Sequence, residues 1–195
     1  MINDADLDPK GNRLITATEP SVEPVTLEEL KMFARIDSSY EDTLLTGFIT
    51  AARDQCEQYT GRSFIEKDIT MTMDWIQTRI DLPKLPIISI TSLKCYYLDG
   101  TSDTIDPSLY EIQQGNYEAA LVFLEDIIPC VSDKTSGGYV LIYKAGYGDS
   151  AADVPQLIKE AIKVTAMELY EGRSAANDIP DKAKTLLQKY WIPTI

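Results

Sequence analysis

Histidine is absent from this chain of 195 residues. Cysteine occurs three times, at Cys56, Cys95 and Cys130, far apart and with no CxxC pair. Without an imidazole, Ser-His-Asp and Cys-His nucleophiles are excluded, as is a thiolate–imidazole zinc site. The thiols are expected to be buried or inert in a reducing compartment. Cations are scarce as well: 18 Lys and Arg stand against 31 Asp and Glu, a formal net charge of -13. Binding through phosphates is driven by counterion release and needs basic residues, so generic nucleic-acid binding is disfavoured. The same acidity would also serve solubility alone. No apolar run approaches the roughly 20 residues of a membrane span. The acidic start MINDADLDPKGNR lacks the basic and apolar stretches of a signal peptide. These absences predict a protein made and kept in the cytoplasm, with no membrane partner.

What is present reads as helices around strands. Residues 1–24, with Pro9, Gly11, Pro20 and Pro24, resemble an arm. In VTLEELKMFARI, Thr26 and Glu29 have capping-box spacing, and Leu27, Leu30, Phe33 and Ala34 make a short amphipathic helix. A second possible box, Ser38 with Glu41, opens the clearest helix. Its stripe is Leu44, Leu45, Phe48, Ile49, Ala52, Cys56 and Tyr59, with Asp42, Arg53, Asp54 and Glu57 on the other side and Gly61 as its stop. From about Ile69 the period falls to 2. ITMTMDW, the run ending at Leu98, LYEIQ, AALVFL and GGYVLIYKAGY read as antiparallel strands, with Asp99-Gly100 as a hairpin turn. Another long helix starts near Pro155 with the stripe Leu157, Ile158, Ala161, Ile162, Thr165 and Leu169. Its offsets match those of the Leu44 helix, so the two are expected to pack together. After the break EGRSAANDIP, a last helix carries Leu186, Leu187, Tyr190 and Trp191.

Motifs with chemistry are few. YKAGYGD places Gly146 and Gly148 between a strand and a helix, the layout of a phosphate loop. The third glycine of GxGxxG and the GK[ST] of a Walker loop are missing, and Asp149 and Asp153 would repel phosphate. The glycines are therefore read as a structural hinge, with positive φ or no room for a side chain. DADLD lacks the glycine and distal glutamate of a calcium loop. Carboxylate pairs such as Glu28–Glu29, Glu41–Asp42 and Glu125–Asp126 single out no catalytic dyad. No cofactor and no metal is expected. The tail IPDKAKTLLQKYWIPTI can dock on its own core or use its aromatics as anchors on another chain.

Five phrases in order carry a resemblance. They are EPVTLEELKMFARID, DTLLTGFITAARDQCEQYTGRSF, IDLPKLPIISITSLKCYYLDG, VLIYKAGYGDSAADVPQLIKEAIKVTAMELYEGR and IPDKAKTLLQKYW, spanning Glu23 to Trp191. Together they resemble the head–tail connector (adaptor) proteins of long-tailed bacteriophages and gene transfer agents. The resemblance implies an α+β fold: a helical core of two long packed helices plus short helices, with an antiparallel β insertion between them. The expected division is an arm at 1–24, a core at 25–173 with the insertion at about 66–147, and a tail at 174–195. The implied role is structural, with no enzymatic activity. Copies would form a ring, about twelve by family analogy, beneath the portal at the head–tail junction of the virion, after assembly in the host cytoplasm. The ring would extend the DNA channel and offer a platform to the stopper or tail. DNA would pass without specific binding, and an acidic lumen would keep phosphates from sticking. The tail is the segment expected to engage the portal, through Ile179, Leu186, Leu187, Tyr190, Trp191 and Ile192, and to stand partly off its own core. Two other readings remain: a small acidic cytoplasmic enzyme using carboxylates, and a monomeric module binding through a sheet edge.

Overall fold

The computed structural model describes residues 13–125, 128–172 and 179–192. The carboxylates Asp4, Asp6, Asp8 and Asp126 and the break at SAAND lie outside them. Contacts divide the chain into a helical unit, residues 20–66 with 147–195, and a β unit, residues 1–19 with 67–146.

The helical unit holds α1 (Leu27–Ala34), α2 (Asp42–Thr60), α3 (Gln156–Gly172) and α4 (Asp181–Leu187). The Thr26–Glu29 capping box forms in full: Glu29 N–H donates to Thr26 Oγ1 (3.1 Å) and Thr26 N–H to Glu29 Oε2 (2.9 Å). The Ser38–Glu41 box does not. Ser38 Oγ instead accepts from Tyr40 N–H, and Glu41 occupies the N-cap of α2 without a side-chain cap. Glu41 is drawn away to Tyr170, whose hydroxyl donates to its carboxylate at 2.6 Å. Gly61 ends α2 in the left-handed conformation, φ 71°.

The expected pairing of α2 with α3 is present. Leu45, Ile49, Ala52 and Cys56 are buried with Ile158, Ala161, Ile162, Thr165, Ala166 and Leu169. Each stripe is narrower than expected. Leu44 and Leu157 lie at its margin and are exposed, and Phe48 is half-buried, edge-on to Tyr170 at 6.4 Å between ring centroids. Alternation at i and i+1 cannot say which of two adjacent apolar residues points inward; the facing helix decides.

The β unit is antiparallel throughout its described residues. One sheet has the order β1-β2-β8-β4-β5 and the other β3-β7-β6. The strands are β1 (Arg13–Ala17), β2 (Lys67–Met73), β3 (Arg79–Asp81), β4 (Ile87–Tyr96), β5 (Ser102–Thr104), β6 (Tyr110–Gln114), β7 (Ala119–Phe123) and β8 (Tyr139–Ala145). Ile69, Met71 and Met73 of β2, and Tyr139, Leu141 and Tyr143 of β8, alternate inward. The Asp99-Gly100 turn joins β4 to β5. Within the stretch read as an arm, Arg13–Ala17 pair with β2, Arg13 opposite Met73 and Ala17 opposite Ile69. Five residues are too few for a periodicity to register in the sequence.

Candidate functional site

Two places carry the sequence's functional expectations: the tail and the glycine turn. The tail is folded onto the helical unit. Ile179, Ala183 and Leu187 are buried in the same apolar core as α2 and α3, with Leu186 and Tyr190 packed partly against it. After α4 the chain makes a 3-10 turn at Gln188–Tyr190 and closes on the end of α2. Arg62 Nε donates to the Tyr190 carbonyl (2.6 Å), and Ile192 N–H to the Thr60 carbonyl (3.0 Å). The expectation of a tail standing off its core is thus corrected: one edge of the amphipathic helix completes the core. Of the six candidate interface residues, Ile179 and Leu187 face inward, Leu186, Tyr190 and Ile192 are half-buried, and Trp191 is 44% exposed. The structure brings them into one segment but divides them by face.

The glycine turn is occupied by its own chain. Gly146 has φ 144°, a conformation that side chains resist. A Cβ on Gly148 would strike the carboxyl of Asp153, 2.6 Å from its Cγ. Gly146 N–H donates to the Pro86 carbonyl (2.9 Å), Tyr147 N–H to the Phe64 carbonyl (3.1 Å), and Ser150 N–H to Asp153 Oδ2 (3.2 Å). A phosphate loop works by presenting free amides. Here three of them are spent on the fold, and an acid fills the space beside the second glycine.

One cluster lies on the side of α2 away from its apolar stripe. Arg53 is 1% exposed, and Glu57 is buried too. Arg53 Nε donates to Glu23 Oε2 (2.9 Å) and Nη1 to Asp54 Oδ1 (2.7 Å), and Nη1 stands 3.5 Å from Glu57 Oε2. Burial works against the guanidinium charge. The hydrogen bond and attraction of Glu23, then Asp54 and Glu57, outweigh it and hold the pKa above the usual arginine value. Glu57 also accepts from Phe64 N–H (2.7 Å), and Thr50 donates to Glu23 (2.9 Å). The cluster ties the segment before α1 and the turn after α2 to one helix, which is structural work. No sequence signal marks it, because the burying segment at Pro20–Val25 comes from outside α2.

Among the described residues no group of three or more Cys, Asp or Glu could hold a metal ion, and no helix is long and apolar enough to cross a membrane. Burial pushes the Cys56 thiol up to about 12, leaving little thiolate at neutral pH.

Residues 24–111 match a family model described as phage gp6-like head-tail connector protein. No curated protein matches the chain. Its fold is similar to a chain in the neck of an empty GTA particle computed with C6 symmetry: TM-score 0.77, 19% identity, covering 92% of this chain and 97% of that one. A chain in the virion of a native gene transfer agent (GTA) particle gives 0.77 at 18% identity, covering 93% and 96%. One in the neck of a native GTA particle computed with C12 symmetry gives 0.71 at 20%, covering 92% and 97%. The fold is therefore the expected α+β one, two packed helices with an antiparallel insertion between them. Over residues 24–111 the chain is similar to the phage gp6-like head–tail connector family.

Proposed function

We propose that this protein is a structural connector at the head–tail junction of a phage or phage-like particle. Copies assemble as a closed ring beneath the portal, about twelve by analogy with such necks. The ring continues the DNA channel and presents a platform to the stopper or tail. The carrying observation is that a match to the connector family's model over residues 24–111 coincides with a shared fold across nearly the whole chain. The role is mechanical rather than catalytic, needs no cofactor, and is exercised in the virion after assembly in the host cytoplasm. DNA moves through without being held, which suits a chain of net charge -13 whose acids line the lumen. The tail contributes the portal contact, with Trp191 as its exposed anchor and Leu186, Tyr190 and Ile192 beside it.

The test is light scattering after size exclusion, with electron microscopy of the protein mixed with purified portal. A ring on the portal is expected. A chain that stays monomeric at high concentration and ignores the portal would overturn the reading in favour of a monomeric binding module.

A further inference from the structure

The N-terminal end of α1 opens onto a cleft within the helical unit, about 570 Å³ in volume. Val22, Val25, Leu27 and Ile49 make its lining mostly apolar. Its charged members are two carboxylates, Glu23 and Asp149, with no cation beside them. Glu23 is spent on Arg53, at 2.9 Å, whereas Asp149 is exposed and forms no ion pair among the described residues. The other end of the same helix projects. Met32 is 78% exposed there. Arg35, the left-handed C-cap at φ 57°, is exposed too and likewise has no ion pair among the described residues. Glu28 and Asp37 border the same surface, and Lys31 is taken by Asp42 at 2.7 Å. That bridge holds the start of α2, and with it the 99% exposed Tyr40, against the end of α1. One helix of eight residues, about 12 Å long, thus has an apolar projection with an unpaired cation at one end. At its other end lies an apolar cleft with an unpaired carboxylate.

We propose that this end of α1 seats in the cleft of a second copy: Met32 fills the apolar lining, Tyr40 covers the rim, and Arg35 pairs with Asp149. The occupant follows from complementarity in shape and charge. A surface that receives a different part of the same chain makes a head-to-tail contact, and such contacts repeat until they close a ring. The inference rests on the connector reading and deepens it: that reading supplies the ring, and this contact is the seam between its copies. The two parts of the contact do different work. Burying the flexible Met32 side chain supplies affinity. The ion pair at the rim stays solvated, so it adds little affinity and instead fixes the register of two acidic chains. Salt therefore relieves the overall repulsion of chains with net charge -13 more than it weakens the seam.

The test compares the full chain as wild type, Arg35→Glu, Asp149→Arg and the double reversal, by sedimentation velocity and by electron microscopy with purified portal. Each single reversal sets like charges together and should weaken assembly at least about tenfold. The double reversal should restore it. So should an equimolar mixture of the two single variants, because alternating copies then join opposite charges at every seam. A contact within one chain could not be rescued by mixing. Both positions are exposed, so the thermal melts should shift little. Met32→Gln keeps the helix and removes the apolar anchor, and it should weaken assembly with the melt unmoved. Single variants that form rings by themselves as readily as wild type overturn the proposal; if they then fail on the portal, the cleft belongs to the portal instead. A mixture that stays unassembled overturns it too. A wild-type chain that never forms a ring fails the connector reading and this seam together, whereas rings indifferent to every reversal fail the seam alone.

Discussion

Arg53 is held by three carboxylates in a place where its charge has almost no water. Removing one member of a buried ion cluster leaves the others uncompensated, which typically costs about 3 to 5 kcal/mol. Arg53→Leu should therefore lower the urea midpoint sharply, Glu57 being the buried charge left behind. An unchanged midpoint would mean that the carboxylates re-pair with water. Gly148 is a second such position. Gly148→Ala must displace Asp153, which caps Ser150 N–H, so a loss of roughly 1 to 3 kcal/mol is expected from thermal melts. No nucleotide should shift the melt of either protein; an ATP-dependent shift abolished by Gly148→Ala would restore the phosphate-loop reading.

Between elements, the α2–α3 seam and the docked α4 set the stability of the helical unit. Leu45 is fully buried at that seam, whereas Phe48 is half-buried at its rim. Leu45→Ala is expected to cost about 2 to 5 kcal/mol. Phe48→Ala should cost less, its solvated side being already wet. Denaturant titration of the two variants checks the order, and the reverse order would place the seam one residue along. The tail divides in the same way. Leu187→Ala should destabilise the fold by about 2 kcal/mol or more, and truncation at Asn177 should do so further by stripping Ile179, Ala183 and Leu187 from the core. Trp191→Ala should move the melt little, about 0.5 kcal/mol, yet weaken co-sedimentation with portal. Full retention of portal binding by Trp191→Ala would move the docking surface elsewhere.

For the whole molecule, charge is the deciding quantity. A net charge of -13 predicts no retention of double-stranded DNA in a gel shift even at low salt, where phosphate contacts are strongest. Salt-sensitive DNA binding would reveal a basic surface that the net charge conceals, and the acidic-lumen account would fall. The same charge makes subunits repel, so assembly into a ring should strengthen as salt rises, measured by sedimentation velocity.

The Thr26–Glu29 cap, the α2 and α3 repeats, the period-2 strands and the Asp99-Gly100 turn were legible because each is local: the spacing alone satisfies the backbone or sorts the faces. Family phrases ordered along the chain carried the connector reading, since they reflect the same short-range turns and stops. Tertiary structure alone decided what depended on distant residues. Glu23 buries Arg53 from 30 positions away, α3 chooses Leu45 over Leu44, β2 recruits Arg13–Ala17 as a strand, and the end of α2 receives the tail. In each case the side chain's own sequence neighbourhood permitted either outcome. The partner that removed water from it settled the matter, because desolvation is a property of the assembled surfaces and not of the spacing.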